Sequence, residues 1–234
     1  MNDSLLCKIY DGFAADSAAD SFEQCRVGHI NRTYFVYVSG EPKYVLQRIN
    51  TAIFKDADAL MENIVNVTDH IRRKVEAVGG DPAREVLTLV PAKCGGFIVR
   101  DDDDGCWRMY HFIRGARTYQ LVDDPVLFYN SAVAFGHFQR QLADFPAEKL
   151  TETIPNFHNT VSRFADFRRA LEADVCGRAS SVKDEIEFVL SHERICSYIT
   201  DKIADGTLPL RVTHNDTKLN NVMIDDETKR GICV

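Results

Sequence analysis

Apolar and aromatic residues run unbroken through Tyr34-Phe35-Val36-Tyr37-Val38, and a second β-rich run, Tyr44-Val45-Leu46-Gln47-Arg48-Ile49, follows the turn Gly40-Glu41-Pro42-Lys43. Such runs bounded by Gly and Pro predict paired strands. An earlier strand leads to Cys25-Arg26-Val27-Gly28-His29-Ile30-Asn31-Arg32-Thr33, and Gly28 and Asn31 tolerate unusual backbone angles, so this segment reads as strand, turn, strand. The period then changes. Leu60, Ile64, Val67, Ile71 and Val75 recur at spacings of three and four, which predicts a helix from Asp56 to Lys74, capped by Asp56 or Asp58 and stopped at Gly79-Gly80-Asp81-Pro82. Two more strands, Gly96 to Arg100 and Cys106 to Tyr110, flank Asp101-Asp102-Asp103-Asp104-Gly105, where Asp-Gly signals a hairpin turn ahead of a metal site.

Beyond Gly115 the pattern becomes helical. Asp124-Pro125 supplies a cap and a first-turn proline for a helix with a Phe128, Ala132, Phe135, Phe138, Leu142 stripe, and His137 within it reads as a partly buried packing residue. The loop Ile154-Pro155-Asn156-Phe157-His158-Asn159-Thr160 mixes aromatic and hydrogen-bonding groups, which suits a polar small molecule or simply pins a long connection. Ser180 or Ser181 then opens one helix carrying Ile186, Val189, Leu190, Cys196, Ile199 and Ile203 to Asp205-Gly206. The order predicts an α+β chain with a β-rich N-terminal lobe, residues 1–112, and a mainly helical C-terminal lobe, residues 113–234.

The 234 residues, 45% hydrophobic and 27% charged, suffice for a substantial core. A net charge of −7 argues against a nucleic-acid backbone as partner and favours small substrates. Seven scattered cysteines without a C-x-x-C pair read as reduced packing residues in a cytoplasmic protein. Met1-Asn2-Asp3-Ser4 has no basic export region, and no apolar run suggests membrane insertion.

The chemistry concentrates in Val212-Thr213-His214-Asn215-Asp216-Thr217-Lys218-Leu219-Asn220-Asn221-Val222-Met223-Ile224. The spacing Asp216-x-x-x-x-Asn221 is that of a kinase catalytic loop, which holds a proton-accepting carboxylate and a metal-binding amide on one turn. Lys218 would neutralise charge on a moving phosphoryl group. A polar turn in which Asn and Asp only cap backbone groups is the bland alternative. In a kinase arrangement the Gly28 loop lays N–H groups over phosphates, and one of Gln47 or Arg48 faces the nucleotide, since strand side chains alternate. Glu62 either reaches that strand cation or stays solvated, and the backbone from Tyr110 through Phe112 to Ile113 forms an adenine-binding hinge. The rivals are a non-catalytic nucleotide- or sugar-binding module, and a hydrolase using His214 and Asp216 as metal ligands.

Taken together, Gly28-His29-Ile30-Asn31, Tyr44-Val45-Leu46-Gln47-Arg48-Ile49-Asn50, Leu60-Met61-Glu62-Asn63-Ile64, Gly115-Ala116-Arg117-Thr118-Tyr119, Phe157-His158-Asn159-Thr160 and His214-Asn215-Asp216 through Asn221 resemble the aminoglycoside phosphotransferase/choline kinase superfamily, most of all its N-acetylhexosamine 1-kinase branch. The resemblance implies a two-lobed protein-kinase-like fold, with ATP and Mg²⁺ as cofactors and phosphoryl transfer to the anomeric hydroxyl of an N-acetylhexosamine. Choline or an aminoglycoside is the alternative acceptor. It further implies Asp216 as base with Lys218 beside it, Asn221 as magnesium ligand, and Gly28, His29, Asn31, Gln47, Arg48, Glu62, Tyr110 and Phe112 around the nucleotide. His158 and Asn159 would belong to the sugar pocket. Two departures stand out: the third strand lacks lysine, and Ile232-Cys233-Val234 stops where the family places a second magnesium-binding Asp. The expectation is a C-terminally truncated, catalytically impaired kinase in which Asp225 and Asp226, in a hairpin turn, do not replace the missing carboxylate.

Overall fold

The first element is one that the strand-rich reading of this region does not contain. In the computed structural model, which describes residues 3–28, 30–121 and 124–234, helix α1 (Asp3–Asp11) buries Leu6, Ile9 and Tyr10 on one face. Strands β1 (Ser21–Cys25), β2 (Arg32–Val38) and β3 (Glu41–Arg48) follow, then α2 (Ala57–Ala77), the single turn α3 (Pro82–Glu85), β4 (Val99–Arg100) and β5 (Cys106–His111). The five strands form an antiparallel sheet in the order β1-β2-β3-β5-β4. The β2–β3 turn is Ser39-Gly40, both at positive φ, so Glu41 and Pro42 already belong to β3. Gly96 to Ile98 stay outside β4, and Gly95 and Gly96 also take positive φ.

The two faces of this sheet differ in kind. Tyr34, Val36, Tyr44, Leu46, Trp107 and Met109 pack against Leu6, Ile9, Tyr10 and Phe13 in the main core. Alternation along the strands sends Thr33, Val45, Gln47, Arg108 and Tyr110 to the opposite face. Helix α2, capped by the Asp56 carboxylate accepting from Ala59 N, covers part of that face through Ala57 and Met61 against Ile49 and Cys106. Farther along it, Ile71 and Val75 join Val86, Phe138 and Leu142 in a separate cluster.

Strand β6 (Ala116–Arg117), helix α4 (Pro125–Gln141), and strands β7 (Met223–Asp225) and β8 (Gly231–Cys233) make the second half of this unit, with β6-β7-β8 antiparallel. Asp124 caps α4 by accepting from Val126 N. The helix turns Leu127, Ser131, Ala134, Phe135 and Phe138 inward, so the expected stripe is rotated: Phe128 is 57% exposed and Ala132 also faces out. The rotation brings Leu127, Ala134 and Phe135 against Val222 and Ile224, and a side chain at Gly231 would collide with Ala134. His137, expected to pack, is exposed.

The chain divides into one compact unit of residues 1–153 with 212–234 and another of residues 154–211, a division placed differently from the sequence boundary at 112/113. The second unit holds α5 (Thr160–Ala173), α6 (Lys183–Ser191), α7 (Glu193–Cys196) and α8 (Tyr198–Ala204). The single helix expected after Ser180 is therefore three short ones, and α6 starts without a side-chain cap. The break at His192 has a local cause: Ser191 Oγ and His192 Nδ1 both engage the Phe188 carbonyl, diverting the acceptor that would continue the helix. Arg168 Nη2 meets Glu193 Oε2 at 2.6 Å, tying α5 to α7.

Cys106 and Cys233 are buried, whereas Cys7, Cys94 and Cys176 are exposed and not packing residues. Among the described residues no helix is long and apolar enough to cross a membrane.

Candidate active site

Between Val212 and β7 the chain makes no regular strand, and the Asn221 side chain takes the Asp216 carbonyl. Asn215 sits in the left-handed region at φ 62, a conformation Asn tolerates, and Thr213 Oγ1 donates to its Oδ1 at 2.5 Å. The chain then tightens: Lys218 N donates to Asp216 O at 2.8 Å, and Leu219–Asn221 forms a 3₁₀ turn anchored by buried Leu219. That turn folds Asn221 back onto Asp216, its Nδ2 donating to the Asp216 carbonyl at 2.7 Å and to Oδ2 at 3.1 Å. Lys218 Nζ lies 3.0 Å from the other carboxylate oxygen.

One carboxylate thus receives an amide on one oxygen and an ammonium on the other. Its partial burial works against the charge, but the Lys218 and Asn221 bonds outweigh that and hold the carboxyl below its usual range. Asp216 is ionised at neutral pH and 45% exposed, so it remains reachable. His214 does a different job. Its ring packs edge-on against Phe135 and Phe138, with centroids at 5.6 and 6.0 Å, and burial pushes the imidazole pKa down despite nearby Asp216. It anchors the loop to α4 as a neutral group. It also lines a cavity of about 320 Å³ together with Asn63, Thr68, Glu85, His137 and Gln141.

Asn221 gives its N–H₂ to Asp216, so its Oδ1 accepts no hydrogen bond from the described residues and is a hard oxygen donor. Among the described residues no cluster of three or more His, Cys, Asp or Glu could cage a metal alone. An amide oxygen beside one carboxylate fits Mg²⁺, which keeps waters and takes substrate phosphates as ligands. Asp225, at the end of β7, serves the hairpin instead. It accepts from Glu227 N, Thr228 N, Thr228 Oγ1 and Arg84 Nη2, and those bonds, led by Thr228 N, hold its carboxyl far below the usual range. Asp226 accepts from Arg117 Nε.

Register separates the candidate phosphate groups on β3. Arg48 lies on the α1 side, where its Nε approaches buried Asp101 at 3.4 Å. Glu62, exposed on α2 beside Asp58, Phe97 and Arg100, makes no ion pair with it, so of the two readings open in the sequence the solvated one holds in this structure. Register sends the cation to the acidic turn: Arg48 shares the face of Leu46 and Trp107, whereas α2, which carries Glu62, packs on the face of Ile49 and Cys106. Gln47 occupies the opposite face, donating from Nε2 to Thr33 Oγ1 at 3.0 Å and accepting from Arg108 Nε at 3.1 Å. Arg108 carried no signal in the sequence read strand by strand; its β5 register opposite Gln47 is what exposes it.

Gly28 has φ 96, and Asn31 Oδ1 accepts from Asn50 N at 3.0 Å, pinning the β1–β2 connection to the end of β3. Both line an open polar recess of about 610 Å³ with Gln24, Arg26, Arg32 and Asn50. His29 lies outside the described residues. Tyr110 is buried, while Phe112 stacks edge-on against Phe35 at 5.8 Å and its N donates to Lys43 O. His158 and Asn159 belong to the second unit: the His158 ring lies 4.5 Å from Phe157, and Asn159 Oδ1 accepts from Ser162 N to cap α5.

Known proteins share this architecture. Solved structures similar to the chain include the GDP and kanamycin complex of APH(2")-IIia, with TM-score 0.55, 16% identity, and coverage of 99% of this chain and 71% of that one. The apo form of a thermostable mutant of aminoglycoside phosphotransferase APH(4)-Ia gives 0.51 at 14% identity, covering 100% and 70%. A microcompartment-associated aminopropanol kinase gives 0.52 at 14% identity, covering 100% and 68%. At these identities the likeness establishes the α+β protein-kinase-like fold. The profile of the "Phosphotransferase enzyme family" matches residues 21–234, a range that includes the Asp216–Asn221 turn, and the chain is therefore a member of that family.

Proposed function

We propose that this chain transfers the γ-phosphoryl group of ATP to the anomeric hydroxyl of an N-acetylhexosamine, with Asp216 as the proton acceptor. The observation that carries the reading is the Asp216–Asn221–Lys218 turn: an ionised, reachable carboxylate oriented by an amide and an ammonium. Asp216 orients the acceptor hydroxyl and takes its proton as the new oxygen–phosphorus bond forms. The bond from the γ-phosphorus to the β–γ bridging oxygen breaks, and ADP leaves with that electron pair. The transition state for such transfer is loose, so a weakly basic carboxylate suffices, and positioning supplies most of the rate. Lys218 offsets charge on the transferred group. The Asn221 Oδ1, with the phosphates, would hold Mg²⁺, which when bound neutralises charge on the β- and γ-oxygens.

The nucleotide is assigned to the sheet face carrying Thr33, Gln47, Arg108 and Tyr110, with the Gly28–Asn31 connection beside it, since α1 covers the other face. The sugar assignment rests on the resemblance of Gly115 to Tyr119 and of Phe157 to Thr160 to the N-acetylhexosamine 1-kinase branch. A second reading, an amino alcohol or aminoglycoside acceptor, draws on the fold shared with the aminopropanol kinase and the aminoglycoside phosphotransferases.

A Mg²⁺-dependent ADP-release assay over N-acetylglucosamine, N-acetylgalactosamine, choline, aminopropanol and kanamycin tests both. Turnover highest with an amino sugar supports the first reading, and choline, aminopropanol or kanamycin outperforming every amino sugar overturns it. ATP binding without transfer to any acceptor would leave a nucleotide-binding module in place of an enzyme.

A further inference from the structure

Kinase-like folds place a cation on the third strand to bind the nucleotide phosphates, and the one lysine of β3, Lys43 near its start, is engaged by Asp16. Arg48, the only cation within Tyr44-Val45-Leu46-Gln47-Arg48-Ile49, points to the α1 side and is engaged by Asp101. The residue on the opposite face is neutral Gln47.

Directly across the ladder from Gln47 stands Arg108 of β5. Its Nε donates to Gln47 Oε1 at 3.1 Å, and its guanidinium carbon lies 5.3 Å from the Tyr110 ring centroid. Gln47 is itself oriented by its bond to Thr33 Oγ1. These contacts hold the stem and one edge of the guanidinium, while the terminal Nη atoms have no hydrogen-bond acceptor among the described residues. No carboxylate of the described residues pairs with Arg108, in contrast to Lys43 with Asp16, Arg48 with Asp101 and Arg84 with Asp225 in the same unit. A partly buried charge without a counter-ion is costly. A planar fork with its outer N–H groups free matches the oxygens of a phosphate.

We propose that Arg108 is the phosphate-binding cation of this chain, positioned by Gln47, and that the anion it takes is the polyphosphate of a nucleotide. The assignment rests on the phosphotransferase reading above and moves to the fifth strand the charge that kinase folds carry on the third. Gln47 then serves as a positioning residue whose carbonyl oxygen fixes the guanidinium edge.

The test is calorimetric titration of the wild-type chain and Arg108→Gln with ADP and, separately, adenosine. Loss of charge-assisted bonds should weaken ADP by about 10- to 100-fold and leave adenosine unchanged. Wild-type affinity for ADP in the variant overturns the assignment and leaves the phosphotransferase reading standing. A wild-type chain that binds neither ATP nor ADP overturns that reading and the assignment with it. If Arg108→Gln does not fold, phenylglyoxal labelling of the wild-type chain decides. Protection of Arg108 by ADP and not by adenosine, located by peptide mass, supports the assignment, and labelling of Arg108 indifferent to ADP sinks it.

Discussion

Two aspartates open two polar turns in this chain, and their surroundings separate structure from chemistry. Asp101 starts the turn before β5 and is only 4% exposed in its side chain. It accepts from Gly105 N at 2.6 Å, Asp103 N at 3.1 Å and Trp107 Nε1 at 2.8 Å, and it faces Arg48. Burial raises its pKa, but those donors outweigh burial and hold the carboxyl below the usual range. A side chain at Gly105 would collide with the Arg48–Asp101 pair, so the glycine completes the turn. Asp216 receives side-chain donors from Lys218 and Asn221, and it is 45% exposed. A carboxylate whose lone pairs are filled by backbone and core donors stabilises a fold. One oriented by two side chains and open to solvent is available to a substrate.

The comparison breaks most readily at Asp216. Replacing it with Ala should lower turnover by about 10²- to 10⁴-fold, the range for general acid–base groups, while stability changes by no more than about 1 kcal/mol, as for an exposed pair. Initial rates beside thermal melts measure both. Wild-type turnover would remove Asp216 from the mechanism.

Asn221→Ala takes away the amide that orients the carboxylate and offers Oδ1 outward. The Mg²⁺ concentration for half-maximal rate should rise about 10- to 100-fold, the usual size for groups that position metal ligands. A Mg²⁺ titration of initial rate reads it, and an unchanged midpoint would assign the metal to other residues.

For Asp101→Asn the order of effects reverses. Weakened acceptors facing Trp107, Gly105 and Arg48 should cost about 1–3 kcal/mol, roughly 2–4 °C of melting temperature per kcal/mol in a chain of this size, with turnover per folded molecule unchanged. A turnover loss exceeding the stability loss would mean that the acidic turn serves the site directly.

The smallest effect is one of pH. The folded pKa of Asp101 is depressed, so its contribution is fully present above the unfolded value, about 3.9, and is lost as pH falls through the folded value. The melting difference between wild type and Asp101→Asn should therefore be flat above about pH 5 and narrow below about pH 4. A difference that stays constant into acid would show that packing, and not charge, holds the turn.

The elements legible in advance were those with strong local signals. Asp56, Asp124-Pro125 and Asp101 to Gly105 each act within a few residues of chain, so caps and turn formed close to where their chemistry placed them, while the turn read at Gly40 to Lys43 formed at Ser39-Gly40. The hydrophobic period located α2 and α4 but not the rotation of α4, because adjacent Leu127 and Phe128 can each begin an apolar stripe and the choice falls to the partner, here Val222 and Ile224. Helix α1 escaped notice for a related reason: nine residues with three buried side chains form a helix only because the sheet supplies the surface they pack on.

The sequence by itself determined the spacing that brings the Asn221 amide onto Asp216, since five residues closing through one 3₁₀ turn leave little freedom. It also determined that Gln47 and Arg48 occupy opposite faces of a strand. Which of those faces is covered was decided only in three dimensions. Packing α1 against Leu46 and Met109 drew Arg48 to Asp101, and the β3–β5 register set Arg108 beside Gln47, 61 residues away along the chain. Alternation is a property of one strand, whereas burial and register are properties of its neighbours, and a charge is assigned to structure or to a ligand by what lies next to it in space.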